Sequence, residues 1–395
     1  MVDKLGLLIN IEEKIRSIYV TDQSSQDNLR NGHIGIKIMN KYTLRPEEAL
    51  YVMDVRKAEC ISDSGRKLTF NDIAMLFNKN NKFMARYFTY KDWRDRGLVI
   101  EYPQEHGTDG NIKKDKQVNF KAYPSTKLKI NTKDVNGVFF EDDLVSIVDK
   151  SDMGRELYNN YWFGQYGTYK ASDHGSLNKL DIYETLFLME RGILNIAGYT
   201  KNEIISIATS RRSDFQKLYS IYKDWRDNGY VLKTGFKFGT HFRIYFPGAQ
   251  PIKNDEWIHS KHVIHVFPRD LKLLISEWAR VIRVAHSVRK TFILAIPGRS
   301  RKKKLSIDFV LYYRKNGVAE APGKDIPKYS MLSLSEDEYI GGSELSAIIN
   351  EARARNSELI IAIADRETSV TYYKIKQIKL PGSEFEYYEI DWMQP

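Results

Sequence analysis

Three side chains far apart in the 395-residue chain, Tyr245, His259 and Lys290, form a set that could cleave RNA without a metal ion. An RNA strand carries its own nucleophile, the 2′-hydroxyl. A protein need only remove that proton, protonate the departing 5′-oxygen and offset charge on the pentacoordinate phosphorane. Histidine, with an ordinary pKa of about 6.5, suits the acid, and lysine, at about 10.4, stays cationic and suits the phosphorane. Tyrosine, at about 10, is a poor base unless nearby cations lower its pKa, and the basic stretch around it is expected to supply them. Each proton-transfer group is worth on the order of 10²–10⁴ in rate. The products would be a 2′,3′-cyclic phosphate and a 5′-hydroxyl.

This set stands out because the chain contains a second copy of the segment that carries it. At a constant offset of 67 residues, FRIYFPG (242–248) falls on FVLYYRK (309–315), HSKHVIHVFP (259–268) on IPKYSMLSLS (326–335), and TFILAI (291–296) on ELIIAI (358–363). Tyr245 then meets Tyr312, His259 meets Ile326, and Lys290 meets Ser357. One copy keeps a full set and the other does not. Each copy reads as two strands, a helix (270–289 and 343–356) and a third, apolar strand. The second copy adds a strand-like partner, SVTYYKIKQI (369–378).

Other chemistries are less well served. No glycine-rich nucleotide loop occurs in a strand-to-helix setting. His259, His262 and His265 would converge on a metal only on a helix, whereas HVIHVF alternates like a strand and puts His262 on the opposite face. A metal-dependent nuclease needs clustered carboxylates, and near the set only Asp255, Glu256, Asp270 and Glu277 are available. Cys60 is the single cysteine, which excludes intramolecular disulfides and thiolate zinc clusters. Neither a metal nor any other cofactor is expected.

A further duplication lies upstream. YKDWRDRGLVI (90–100) recurs as YKDWRDNGYVL (222–232) at an offset of 132, and LRPEEALYVM (44–53) as LDIYETLFLM (180–189) at 136. These segments read as helices ended by Gly97, Gly192 and Gly229, with Trp93 and Trp225 in the core. The fold expected is a multidomain α+β / α/β protein. It comprises a helix-rich domain (1–105), a polar linker (106–123), a second helix-rich domain (124–211), a small mixed-sheet α/β domain that is catalytic (212–302), and an inert structural α/β domain (303–395). Two half-units flank one complete unit.

The net charge of +10 permits an anionic partner, and the charge is divided between the α/β copies. Residues 268–304 hold eleven Lys/Arg and two Asp/Glu, whereas 331–370 hold three and eight. The run GRSRKKK (298–304), with Arg299, Arg301, Lys302 and Lys303, resembles a basic loop suited to a nucleic-acid backbone. No stretch approaches the roughly 18 apolar residues of a membrane span, and the first dozen residues lack a signal-peptide pattern, so a cytoplasmic protein without membrane contact is expected.

GFKFGTHFRIY (235–245), HSKHVIHV (259–266) and RVAHSVRKTFILAI (283–296), preceded by YKDWRDNGYVLKTG (222–235), resemble the archaeal tRNA-splicing endonucleases, in particular their three-unit homodimeric class. The resemblance implies a tRNA-intron lyase that binds precursor tRNA and cuts both sides of a bulge–helix–bulge. The catalytic roles would fall on Tyr245, on His259, which is preferred to His262 because HS opens the strand, and on Lys290. It further implies an arginine clamp for a flipped base, with Arg283 at one position and Arg299 or Arg301 as candidates for the other. One complete set per chain implies a homodimer. An acidic hairpin, ADRETS (364–369) with Asp365 and Glu367, would dock on a basic cleft, with SEDE (335–338) as a second candidate. Departures from the family pattern are His241 where an acid is common, a longer connection from Tyr245 to His259, and an enlarged loop at 166–175. The competing reading is a non-catalytic RNA-binding protein that has kept the fold.

Overall fold

The computed structural model describes residues 6–38, 41–103, 120–169, 171–253, 256–298 and 306–395. In the first half-unit the duplicated segments form helices α1 (Pro46–Asp54) and α2 (Phe83–Asp95), followed by the short strand β1 (Ile100–Glu101). In the second, α3 (Ser151–Tyr161) precedes α4 (Ile182–Glu190) and α5 (Phe215–Asp227), and strand β2 (Val231–Thr234) follows. α4 begins with a reciprocal cap in which Asp181 accepts from the Glu184 N–H and Glu184 accepts from the Asp181 N–H. α5 buries Tyr222 and Trp225 on one face and ends before Gly229, whose φ is 86°. A Cβ at Gly229 would meet the Thr126 carbonyl at 2.3 Å, so no other residue fits that turn. Trp93 and Trp225 are both fully buried, and truncating either would cost about 3–5 kcal/mol.

Helix-rich is an incomplete description of these half-units. The first also carries a six-stranded sheet between residues 8 and 68, and the second a five-stranded sheet between 135 and 196. Those strands are two to six residues long, too short for an alternating pattern to stand out against the helical stripes.

The complete α/β copy contains β3 (Phe242–Tyr245), β4 (His262–Val266), α6 (Ile275–Ser287) and β5 (Thr291–Ile296). Its twin contains β6 (Phe309–Leu311), β7 (Tyr329–Ser335), α7 (Gly342–Ala354) and β8 (Glu358–Ala364), then β9 (Val370–Lys379) and β10 (Glu386–Met393). α6 begins later and ends earlier than expected, α7 begins one residue earlier and ends two residues earlier than expected, and α6 falls on α7 residue for residue under the shift of 67. The residues just before each helix, Lys272–Leu274 and Tyr339–Gly341, pair as an antiparallel ribbon in which Leu273 lies opposite Ile340, its own equivalent. Equivalent positions facing each other are the signature of a local two-fold relation between the copies.

One long sheet unites them in the order β2-β3-β4-β5-β10-β9-β8-β7-β6-β1, with Lys121–Ala122 paired beside β9. The outer strands come from the half-units. Leu232 lies opposite Ile244, and Ile100 lies opposite Leu311 in the same register. The first half-unit therefore closes the twin copy and shares one core with it, whereas the second shares a core with the complete copy. A third core, under α6 and α7, joins the two copies. β10 lends the complete copy its missing neighbour, with Ile390 opposite Phe292. Among the described residues no helix is long and apolar enough to cross a membrane.

Candidate active site

Strand register alone brings the three expected groups to one edge of the sheet. β3 runs antiparallel to β4, so the end of β3 lies beside the start of β4, with Ile244 opposite His262. β4 runs parallel to β5, so its start also meets the start of β5, with His262 opposite Thr291. Tyr245 ends β3, His259 and Ser260 just precede β4, and Lys290 just precedes β5. The Thr291 N–H donates to the Lys261 carbonyl at 2.9 Å and locks that edge. Arg289, in the left-handed conformation at φ 54°, turns the chain out of α6 so that the Lys290 N–H donates to the Ala285 carbonyl at 3.0 Å.

Ser260 ties the edge together. The Lys290 ammonium donates to the Ser260 carbonyl and, at 3.1 Å, to its hydroxyl. Ser260 also lies close enough to act on the Tyr245 phenol. His259, the neighbour of Ser260 along the chain, is exposed. The HS pair does not open the strand as expected, because β4 starts three residues later, at His262. His262 packs instead against Phe246 and Tyr123, with ring centroids 5.0 and 6.0 Å away, and burial pushes its pKa down to about 4.

Tyr245 is 5% exposed. It sits in a small aromatic cluster with Tyr158, Trp162 and Tyr166 of the second half-unit. Trp162 caps α3 in the left-handed conformation and brings its ring centroid to 4.5 Å from that of Tyr245. Burial pushes the phenol above its ordinary value, and Arg243 and then Ser260 oppose this only in part. The expectation that surrounding cations lower the Tyr245 pKa is thus overturned, because desolvation disfavours the phenolate more than Arg243 favours it. Burial, and then Arg243, lowers the Lys290 pKa. The ammonium also stands 4.7 Å from the ring centroid of Phe238.

The twin edge has the same strands and a different chemistry. Pro327 stands in the place of Ser260, and Ser357 in that of Lys290. The Tyr312 hydroxyl donates to the Glu101 carboxylate at 3.2 Å, and the Ser357 hydroxyl lies 2.6 Å from that of Ser330. His241 also finds its explanation here. Its Nδ1 accepts from the Val266 N–H at 2.9 Å, and its twin counterpart Asp308 accepts from the equivalent Ser333 N–H at 2.8 Å. An imidazole thus does the backbone-anchoring work of a carboxylate. Burial, then His265 and Arg212, push its pKa down to about 2.

Of the remaining expected residues, Arg283 is exposed on α6, close enough for its charge to act on Tyr373 of β9. Arg299, Arg301, Lys302 and Lys303 lie outside the described residues. Asp365 and Glu367 occupy the turn between β8 and β9, where the Asp365 carboxylate accepts from the Glu367 and Ser369 N–H groups at 2.9 and 2.8 Å. Arg366 pairs with Asp337 at 2.8 Å and with Glu336 at 3.6 Å, so the two candidate acidic loops form one patch. Among the described residues no group of three His, Cys, Asp or Glu side chains is arranged to hold a metal ion. Sequence reasoning missed Trp162 and Arg243 and gave Ser260 no role of its own. The HS dipeptide pointed to Ser260, but nothing local pointed to Trp162.

Long stretches of this sequence match known proteins. A family model described as "tRNA intron endonuclease, catalytic C-terminal domain" matches residues 215–307, and one described as "tRNA intron endonuclease, N-terminal domain" matches 138–209. The tRNA-splicing endonuclease of Methanococcoides burtonii is 28% identical over 341 residues, covering 71% of this chain and 93% of that protein. That of Methanopyrus kandleri is 35% identical over 133 residues, 32% of this chain and 71% of that protein. That of Thermococcus onnurineus is 34% identical over 145 residues, 36% of this chain and 77% of that protein. With the complete copy inside the catalytic-domain match and whole relatives largely covered, the chain belongs to the tRNA-splicing endonuclease family.

Proposed function

We propose that this chain excises introns from precursor tRNA by metal-independent cleavage at Tyr245, His259 and Lys290. The observation that carries this reading is the anchoring of Lys290 on Ser260 beside Tyr245, with His259 next in the chain, at an edge whose twin holds Tyr312, Pro327 and Ser357. Tyr245 faces the 2′-hydroxyl as base, exposed His259 protonates the 5′-oxygen, and the Lys290 ammonium offsets charge on the phosphorane. Cleavage leaves a 2′,3′-cyclic phosphate and a 5′-hydroxyl.

The substrate is a bulge–helix–bulge, whose two similar cleavage sites require two chains because each chain has one complete set. Residues 212–302 act as the catalytic unit and 303–395 as the structural one. The acidic patch of Asp365 and Glu367 makes the contact between subunits. Arg283 stacks on an unpaired base, with the basic run of Arg299, Arg301, Lys302 and Lys303 on the phosphates.

Incubation with a bulge-containing precursor tRNA in excess chelator tests the reading. Cleavage at both bulges with cyclic-phosphate ends supports it. Tight binding without cleavage points to a non-catalytic RNA-binding protein, and inhibition by chelator to metal chemistry.

A further inference from the structure

Ser260 is 5% exposed, so its hydroxyl must find partners inside the protein. The hydroxyl accepts from the Lys290 ammonium at 3.1 Å, its carbonyl accepts a second hydrogen bond from the same ammonium, and Ser260 lies close enough to the Tyr245 phenol to act on it. A lysine side chain is a point charge on a flexible four-carbon stem. Two acceptors on one residue fix that charge in a way one could not. The twin copy offers a control within the same chain. There the hydroxyl and the ammonium are both lost, to Pro327 and Ser357, and the remaining phenol, Tyr312, donates to Glu101.

We propose that Ser260 is a positioning residue for RNA cleavage, holding Tyr245 and Lys290 at the spacing of a single scissile phosphodiester without itself exchanging a proton with the substrate. The proposal rests on the functional reading above. It predicts that losing the hydroxyl slows the chemical step and leaves RNA binding intact, because the groups that react are present but no longer held.

The test uses the full-length protein and a bulge-containing precursor tRNA under single-turnover conditions. Ser260→Ala is expected to cleave about 10–100-fold more slowly, with precursor affinity within about twofold of the parent. Ser260→Thr, which keeps the hydroxyl, should recover to within about threefold, whereas Ser260→Cys, close to serine in volume but a weak hydrogen-bonding group, should be as slow as Ser260→Ala. Should Ser260→Ala fail to fold, the Thr–Cys contrast decides alone. In the Lys290→Ala background, Ser260→Ala should cost less than it does in the parent, since one of the groups it positions is gone.

Cleavage by Ser260→Ala at the parental rate, or Ser260→Thr no faster than Ser260→Cys, overturns the proposal. If Tyr245→Phe and Lys290→Ala also cleave at the parental rate, the functional reading fails and the positioning role fails with it. If those two are slow and Ser260→Ala is not, the positioning role alone is wrong.

Discussion

The ring of Trp162 lies 4.5 Å from the ring of Tyr245, although the two residues belong to different structural units. Through this contact the second half-unit sets the position and the dryness of the phenol. Trp162→Ala should therefore lower the single-turnover cleavage rate by about tenfold or more, since small displacements of a reacting group are expensive. It should also cost about 3–5 kcal/mol of stability, whereas Trp162→Phe should keep most of both. Denaturant unfolding and cleavage assays on the same preparations check this.

Burial holds Tyr245 above the ordinary phenol value and Lys290 below the ordinary ammonium value. With the phenolate, a protonated acid and the ammonium all needed, the gain from ionising the phenol is offset by loss of the acid's proton, and the rate falls where Lys290 also loses its own. That alkaline bend should come below the free-lysine value of about 10.4. Lys290→Arg should move that bend to higher pH, because a guanidinium does not titrate there. Single-turnover rates between about pH 6 and pH 10 decide it.

His265 is buried against His241 and Phe292, and burial pushes its pKa down to about 4. The unfolded chain binds that proton near pH 6.5, and the folded protein refuses it until about pH 4. Its contribution is therefore lost as pH falls from about 6.5 to about 4. Glu48 and Asp181, both raised to about 7, act in the opposite direction over the same range, so the total stability is a poor probe. The difference isolates the histidine. Relative to the parent, His265→Phe should gain about 3 kcal/mol between pH 7 and pH 4, measured by urea unfolding at each pH.

Lys82 of the first half-unit donates to Asp308 at 2.6 Å and to the Ser333 carbonyl at 3.1 Å, in a nearly buried pairing with the C-terminal copy. Asp308→Ala leaves that ammonium without its carboxylate. A loss of about 3–5 kcal/mol is expected. Cleavage at 25 °C should be unchanged, because the catalytic edge belongs to the other end of the sheet. A fall in both stability and cleavage rate for the folded variant would show that the two ends are coupled.

By itself the sequence determined the repeats and singled out the candidate residues. Trp93 and Trp225 recur because both copies must bury the same helix face, and α6 and α7 coincide because identical spacing yields identical burial. The candidates Tyr245, His259 and Lys290 were legible from residue type and from their partial loss in the twin. Only the tertiary structure decided that β4 begins at His262, that β10 pairs with β5, that Trp162 covers Tyr245, and that Ser260 anchors the Lys290 ammonium. It also reversed the sign expected for the Tyr245 pKa. Periodicity along a chain records which residues turn inward, whereas register, desolvation and hydrogen-bond partners arise between residues far apart in sequence and exist only once the strands have paired.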